Sequence, residues 1–190
     1  MDGRTLCCCN KDISLYYAKI ADKKMIFDMS REEQEIYDSM FYGENNPYTW
    51  EEYAEKENEF YSGEKSKNNY LLIEYTGEII GTVSYSYNQA EIENMELDIY
   101  LRSDKHTGKG LGTQTLILLT DYLSNEYLIK TFIIRPSKTN GRAIRCYEKS
   151  GFAILNNFDA CKYYVGLDIS DWGNGDYGID GTLNMIKTYP

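Results

Sequence analysis

The sequence lacks the features that mark several classes of protein. It has three prolines among 190 residues and no internal repeat, which disfavours a chain of linkers or disordered segments. No apolar run approaches the ~18–20 residues that span a bilayer, and no basic segment followed by an apolar one opens the chain. We therefore expect one globular unit in the cytoplasm, without a membrane contact.

Patterns typical of metal sites and disulfide frameworks are also missing. The sequence holds one histidine, His106, and five cysteines, three of which are adjacent at residues 7–9. Adjacent cysteines do not readily pair with one another, and no C-x-x-C spacing occurs. This pattern favours reduced thiols and predicts no metal site, and it leaves the role of the triple cysteine open.

Positive charge is scarce. Lysine and arginine number 20 against 30 aspartates and glutamates, so the formal net charge is −10. A field of this sign repels the phosphates of nucleic acids and attracts cations. The composition therefore predicts a cationic small molecule as partner rather than a nucleic acid, and it is compatible with either a monomer or a homodimer.

Strand and helix patterns alternate along the chain. Strands are predicted at Ile13–Ile20, Tyr70–Tyr75, Glu78–Tyr87, Glu91–Leu101, Leu128–Ile134, Phe152–Leu155 and Lys162–Ile169. Asp22 precedes one predicted helix, and a capping box at Thr49–Glu52 opens another that runs to about Phe60. Strands separated by single helices predict an α/β (α+β) layer with a mixed sheet.

The two ends of the chain do not continue these patterns. We assign residues 11–170 to a single domain, residues 1–10 to a flexible N-terminal extension and residues 171–190 to a C-terminal tail rich in glycine and aspartate. Asp171–Asp180 matches neither an EF-hand nor a calcium-binding nonapeptide, which predicts a polar surface loop.

A glycine loop at residues 108–113, between a predicted strand and a helix, is the strongest functional signal. Its three glycines let backbone N–H groups converge on one point, and the following helix adds the positive end of its dipole. This arrangement can hold a pyrophosphate. The spacing matches neither a P-loop nor the dinucleotide fingerprint, so a tight strand-to-helix turn is the structural alternative.

A second segment, Asn140–Phe152, follows about 28 residues later. Asn140 is suited to cap a helix on which Asn140, Ala143 and Tyr147 share one face. An amide and a phenol are thereby predicted beside the glycine loop.

These two segments together resemble the GNAT superfamily of acyl-CoA-dependent N-acetyltransferases, and most of all the aminoglycoside 6′-N-acetyltransferases. The resemblance is specific over Glu91–Phe152 and looser over Ile13–Tyr87. It implies a GNAT-like acyl-CoA N-acyltransferase fold. In that fold a mixed, twisted sheet with flanking helices is splayed open between its fourth and fifth strands, here about Glu91–Leu101 and Leu128–Ile134.

The resemblance also implies acetyl-CoA as cosubstrate. Backbone groups near Tyr100 and Leu101 would bind the pantetheine arm, and Asn140 would contact the cofactor from the next helix. The pyrophosphate would lie on the glycine loop, that is, on Gly108, Lys109, Gly110, Leu111, Gly112 and Thr113.

Two side chains suit the chemistry of acetyl transfer. Tyr147 has a phenol with an ordinary pKa of about 10, so it is protonated at neutral pH and able to donate to a departing thiolate; a core tyrosine is the alternative. Asp98 lies ten positions before Gly108, where the aminoglycoside branch carries its catalytic aspartate. It would accept the proton of the amine; a solvated edge carboxylate is the alternative, and Glu96 on the same strand face is the reserve candidate.

Acceptor recognition is predicted from acidic and aromatic residues near the mouth of the cleft. Glu96, Trp50 and Glu51 are the main candidates, and a solvated acidic helix face is the alternative. Similar groups nearby are Glu44, Glu52, Tyr53 and Glu55.

The sequence thus predicts an acetyl-CoA-dependent N-acetyltransferase that acts on a primary amine of a cationic small molecule, such as an aminoglycoside in antibiotic resistance. Two alternatives stay open. The acceptor could be a peptide or protein amine or a polyamine, or the chain could be a non-catalytic acyl-CoA-binding module.

Overall fold

One mixed sheet of eight strands organises the part of the chain that the computed structural model describes, namely residues 3–34, 37–38, 49–87, 94–164 and 173–190. The spatial order of the strands is β1-β2-β3-β4-β5-β6-β8-β7. The strands are β1 (Leu6–Cys9), β2 (Ile13–Tyr17), β3 (Asn69–Tyr75), β4 (Glu78–Tyr87), β5 (Asn94–Leu101), β6 (Thr131–Ile134), β7 (Ala153–Ile154) and β8 (Met185–Thr188).

Helices cover both faces of this sheet. They are α1 (Lys23–Met29), α2 (Trp50–Ala54), α3 (Leu111–Tyr127), α4 (Gly141–Lys149), α5 (Ala160–Tyr163) and α6 (Gly178–Gly181). Apolar residues of α3 and α4 pack on one face in the largest buried cluster, and Ile26 and Met29 of α1 pack on the other face in a second cluster. The predicted mixed sheet with flanking helices is confirmed.

None of the helices within the described residues combines the length and apolar character that a bilayer crossing requires. The cytoplasmic location and the choice between monomer and homodimer stay predictions.

Local sequence signals account for several of the element boundaries. A hairpin at Thr76–Gly77 joins β3 to β4, and both of its residues adopt positive φ, 51° and 88°. Thr49 caps α2 as expected, because Glu52 N–H donates to Thr49 Oγ1 (3.2 Å) and Thr49 N–H donates to Glu52 Oε2 (2.8 Å). That helix ends at Ala54, earlier than predicted, and Asn58–Phe60 forms a separate 3₁₀ turn.

The N-terminal segment differs from its prediction. Leu6–Cys9 is not an extension outside the domain but forms β1, paired antiparallel with β2 at the edge of the sheet. Cys7 and Cys8 pack against the main core cluster. The short Leu-Cys-Cys-Cys stretch shows no alternation of polar and apolar residues. The sequence therefore gives no signal that this stretch pairs with β2.

The C-terminal segment differs from its prediction as well. Met185–Thr188 forms β8, which lies between β6 and β7 and pairs antiparallel with both. The expected strand at Lys162–Ile169 is wrong at its start, because Lys162 lies in α5, whose Asp159 cap accepts from Cys161 N–H at 3.0 Å. Residues 165–170 lie outside the described residues.

The sheet opens between β5 and β6, which form its parallel pair. Asn94–Leu97 pairs with Thr131–Ile134, after which β5 continues to Leu101 without a β6 partner. Pro136 comes two residues after the end of β6, and it has no N–H that could donate a hydrogen bond to a neighbouring strand. The predicted opening between these two segments is present. They are the fifth and sixth strands rather than the fourth and fifth, because β1 precedes them.

Candidate active site

A cleft of about 620 Å³ lies at this opening and reaches both faces of the sheet. On one side it is lined by residues of α3 and α4, among them Leu111, Ala143 and Tyr147. On the other side it is lined by Glu57, which follows α2, and by Tyr70 of β3. The splay between β5 and β6 therefore connects two surfaces that a closed sheet would separate.

The glycine loop forms one wall of the cleft. Gly108 and Gly110 have φ of 71° and 79°, the left-handed conformation that glycine adopts without strain. Gly110 caps α3, and no side chain of the described residues caps the first turn, so the N–H groups there remain for a ligand. A Cβ at Gly112 would lie 3.1 Å from Cys146 Sγ, so the absence of a side chain lets α3 approach α4 closely.

Cationic side chains flank this loop. The residues lining the cleft here include the cations Arg142, Arg145 and Lys149, beside His106. Arg142 also forms an ion pair with Asp104 at 2.7 Å, which ties α4 to the turn before the loop. Lys109, predicted to contact the cofactor, has an exposed side chain that is not among the described residues lining the cleft.

The end of β5, which has no partner strand on the β6 side, forms the floor of the cleft. Tyr100 and Leu101 both line the cleft, as predicted for the segment that would hold the pantetheine arm. The Tyr100 phenol is committed elsewhere, because it donates to the Ile26 carbonyl at 2.9 Å. Tyr100 and Leu101 are thus available mainly through their backbone groups.

The α4 residues lie where the spacing predicted them. Asn140 caps α4, since its Oδ1 accepts from Ala143 N–H at 3.0 Å, and it lines the cleft. Tyr147 is 6% exposed and lines the same cleft, and no described residue forms a hydrogen bond with its hydroxyl. Desolvation raises the pKa of Tyr147 well above its usual value, with a smaller effect from the charge of Asp98. The phenol therefore keeps its proton at neutral pH.

Two carboxylates of β5 line the same cleft as Tyr147. Asp98 Oδ1 accepts from Ile99 N–H at 2.9 Å, and desolvation, followed by the charge of Asp176, raises its pKa to about 6. Glu96 Oε2 accepts from Tyr164 Oη at 2.9 Å. Desolvation raises the pKa of Glu96 to about 7, although Arg135 and Tyr164 favour its ionised form. Both groups thus titrate close to neutrality, as acid–base residues do.

Three further residues line the cleft that the sequence did not single out. Glu57 follows α2 with φ of 53°, and its Oε2 accepts from Tyr70 Oη at 3.2 Å. Asp176 and Tyr177 come from the C-terminal segment, which was predicted to be a surface loop. Glu57 lay within a predicted helix and was therefore not recognised as a site residue. Asp176 and Tyr177 reach the cleft through contacts with distant segments, which leave no pattern in the local sequence.

The predicted acceptor residues of α2 lie elsewhere. Trp50 packs on Phe27, with ring centroids 5.5 Å apart, and Glu51 is exposed in the first turn of α2. Neither is among the described residues that line the cleft, so their contact with an acceptor stays a prediction. Glu44 lies outside the described residues. Glu96, the third main candidate, does line the cleft.

The remaining reactive groups of the cleft are poor nucleophiles. Burial raises the pKa of the Cys146 thiol, and Cys146 Sγ lies 3.5 Å from Thr113 Oγ1. A protonated thiol packed between two helices does not form an acyl intermediate readily. His106 lies 3.8 Å from Glu78 Oε1, on the side of the glycine loop.

The cleft therefore carries opposite charges at its two ends. Cations and free N–H groups line it beside the glycine loop. At the other end the carboxylates are those of Glu57, Glu96, Asp98 and Asp176. This arrangement suits a long ligand with phosphates at one end that meets a cation at the other.

The raised pKa of Glu96 predicts how stability varies with pH. Since the pKa of Glu96 is higher in the folded chain than in the unfolded chain, the folded state binds more protons between about pH 4 and about pH 7. The contribution of Glu96 to the free energy of unfolding therefore falls as pH rises through that window. We expect Glu96→Gln to raise the melting temperature more at pH 8 than at pH 5, measured by calorimetry or circular dichroism. A larger gain at pH 5 would show that the site favours the charged form.

Comparison with known proteins matches this geometry. Residues 13–153 fit a family model described as an acetyltransferase (GNAT) domain. The chain belongs to the GNAT acetyltransferase family. The cleft between β5 and β6, with its glycine loop, lies within the matched residues of this GNAT chain, whereas Asp176 and Tyr177 lie beyond them.

Individual relatives share parts of this GNAT chain. The aminoglycoside N(6′)-acetyltransferase type 1 of Klebsiella pneumoniae is 43% identical over 56 residues, which is 30% of this chain and 28% of that protein. The spermine/spermidine N(1)-acetyltransferase of Bacillus subtilis is 28% identical over 90 residues, or 45% of this chain and 59% of that protein. The chain thus spans less than two thirds of the length of these relatives.

A solved structure shares the fold over nearly the whole chain. The structure of AAC(6′)-Ib in complex with ribostamycin and coenzyme A superposes with a TM-score of 0.69 at 21% identity, covering 94% of each chain. The shared fold therefore extends beyond residues 13–153, the part of this GNAT protein that the family model matches.

Proposed function

We propose that this chain is an acetyl-CoA-dependent N-acetyltransferase acting on a primary amine of a cationic small molecule, with aminoglycosides as the first candidate acceptors. One observation carries the proposal: a single cleft joins a cationic glycine loop on one face of the sheet to a cluster of carboxylates on the other. A transferase needs this continuity, because its two substrates must meet at one point.

The residues present fit acetyl-CoA. The uncapped N–H groups at the start of α3 and the cations of α4 suit a diphosphate. The end of β5 beyond Leu97 has no partner strand on the β6 side, which leaves backbone groups for the amides of a pantetheine arm. When bound, acetyl-CoA supplies an acetyl group activated as a thioester.

Asp98 and Tyr147 each carry out one of the two proton transfers. Asp98 attracts the ammonium of the acceptor and takes its proton, so that a neutral amine is available for attack. Because Ile99 N–H binds Oδ1, we assign this role to Oδ2. Tyr147 holds its proton at Oη, where desolvation keeps the phenol neutral, and donates it at the sulfur that leaves.

The names of the relatives support a cationic acceptor of either of two kinds, an aminoglycoside or a polyamine. The four carboxylates of the cleft favour any acceptor with more than one ammonium group. We place the aminoglycoside first because the more identical segment belongs to an aminoglycoside relative.

Release of free thiol from acetyl-CoA, measured over a panel of aminoglycosides, polyamines and peptide amines, tests the proposal. We expect turnover with aminoglycosides and no turnover with a neutral peptide. Turnover with polyamines alone would show that the acceptor is a polyamine, and the proposed acetyl transfer would stand. Absence of turnover with every amine, despite binding of acetyl-CoA, would favour a non-catalytic module.

A further inference from the structure

A loop from the C-terminal segment enters the cleft beyond the part of the chain that matches the family. Gly173–Tyr177, here called the C-terminal loop, supplies Gly175, Asp176 and Tyr177 to the lining, whereas the family model ends at residue 153. The loop therefore adds to the cleft a wall from outside the residues that the family model matches.

Arg135 holds the C-terminal loop in place. This arginine, 8% exposed, follows β6 directly. It donates to the Gly173 carbonyl at 2.9 Å, to Asn184 Oδ1 at 3.0 Å and to Tyr164 Oη at 3.2 Å. Tyr164 donates in turn to Glu96, so one network joins the loop to the acidic floor of the cleft.

The absence of a side chain at residue 175 lets the loop approach Arg135 closely. Gly175 has φ of 69°, and a Cβ there would lie 2.6 Å from Thr182 Cγ2 and 2.9 Å from an Arg135 guanidinium nitrogen. Contacts shorter than 3.0 Å require the side chains of Thr182 and Arg135, or the loop itself, to shift. The Arg135 contact with Gly173 and the close approach at Gly175 thus hold the chain just before Asp176.

The loop brings a third carboxylate to the floor of the cleft. Asp176 lines the cleft together with Glu96 and Asp98, and its charge raises the pKa of both. Tyr147, a residue only 6% exposed, lines the same cleft, and its hydroxyl has no hydrogen-bond partner among the described residues, which leaves it for a polar ligand. Arg135 already favours the ionised form of Glu96, so a single ammonium at Asp98 leaves the charge of Asp176 for a second cation.

We propose that the C-terminal loop is an acceptor-specificity element, in which Asp176 binds a second ammonium group on the sugar ring that carries the reacting amine. Asp98 receives the reacting amine, and Arg135 acts as a positioning residue for the loop. The inference rests on the proposed function. It adds that the chain selects diamino over monoamino rings.

Kanamycin A and kanamycin B form a matched pair of probes, because they differ only in a hydroxyl or an amine at the 2′ position of the ring that bears the 6′-amine. We expect Asp176→Asn to raise KM for kanamycin B about tenfold and to leave KM for kanamycin A within about twofold, with kcat retained. Asp180→Asn, an exposed carboxylate of α6, is the control and should change neither value. Equal changes for both kanamycins, or none, would overturn the inference.

Two more variants test the positioning role. Gly175→Ala and Arg135→Met should both reproduce the selective rise in KM for kanamycin B while the affinity for acetyl-CoA is unchanged. If Arg135→Met fails to fold, Gly175→Ala carries the same test. Retained transfer without this selectivity contradicts the inference alone, whereas absence of transfer by the unaltered chain contradicts the proposed function with it.

Discussion

Tyr147→Phe is expected to lower kcat by about 10²–10⁴-fold, the range for loss of a positioned general acid. The substitution removes one hydroxyl and keeps the ring that packs on Phe152, with centroids 6.3 Å apart. Because the hydroxyl has no hydrogen-bond partner among the described residues, its removal leaves no protein group unsatisfied. Stability and acetyl-CoA affinity should therefore change little.

Steady-state kinetics measure kcat of Tyr147→Phe, and calorimetry measures its stability and its affinity for acetyl-CoA. Tyr122→Phe is the matched control, because it also removes a phenol, one that lies 3.3 Å from Tyr17 Oη and outside the described lining of the cleft. Its kcat should remain unchanged. An equal loss in both variants, or none at Tyr147, would assign Tyr147 to the core alone.

Asp98→Asn is the second large expected effect. The amide retains the size and polarity of the carboxylate but neither takes a proton nor attracts the ammonium, so kcat/KM should fall about 10²–10⁴-fold. In the unaltered chain kcat/KM should rise with pH as Asp98 ionises with a pKa of about 6, because only the carboxylate accepts a proton. The variant should lose that step.

The pH profile also distinguishes Asp98 from Glu96. If the rise persists in Asp98→Asn near pH 7, the pKa of Glu96, then Glu96 is the effective base. Asp28→Asn is the control, since Asp28 is an exposed partner of Lys24 on α1. A profile for Asp98→Asn that matches the unaltered chain in both height and shape would remove Asp98 from the mechanism.

The centre of the site was predictable because its signals are local. The glycine loop requires positive φ at Gly108 and Gly110, and glycine is the residue that permits it. The Asn140 cap and the helical spacing to Tyr147 are readable over eight positions. Alternation along β5 likewise placed Glu96 and Asp98 on one face.

The rest of the site depends on contacts between distant segments. Asp176 reaches the cleft through Arg135, 41 positions earlier in the sequence, and a glycine that avoids Thr182. Glu57 is placed by Lys23, whose ammonium donates to the Ala54 carbonyl at 3.1 Å, to Asn58 Oδ1 at 2.8 Å and to the Lys56 carbonyl. Neither set of partners follows from propensity or periodicity, so the sequence predicted Glu96, Trp50 and Glu51 on the acceptor side and did not identify Glu57 or Asp176.

The same distinction between local signals and long-range contacts applies to the strands of the sheet. The hairpin at Thr76–Gly77 and the alternation in β5 are properties of short windows. β1 and β8 are four residues each, and they are strands because β2, β6 and β7 lie beside them. Short segments of this kind carry too few residues for a pattern to distinguish strand from loop.

Calorimetric titration with acetyl-CoA tests the central claim most directly, which is that the glycine loop binds this cosubstrate. We predict a dissociation constant of roughly 1–100 μM, within the usual range for enzyme substrates. Gly110→Ala should weaken binding about tenfold. Gly77→Ala, which places the same methyl group at positive φ in a hairpin away from the cleft, should bind normally. Absence of binding heat, or equal binding by both glycine variants, would contradict the account.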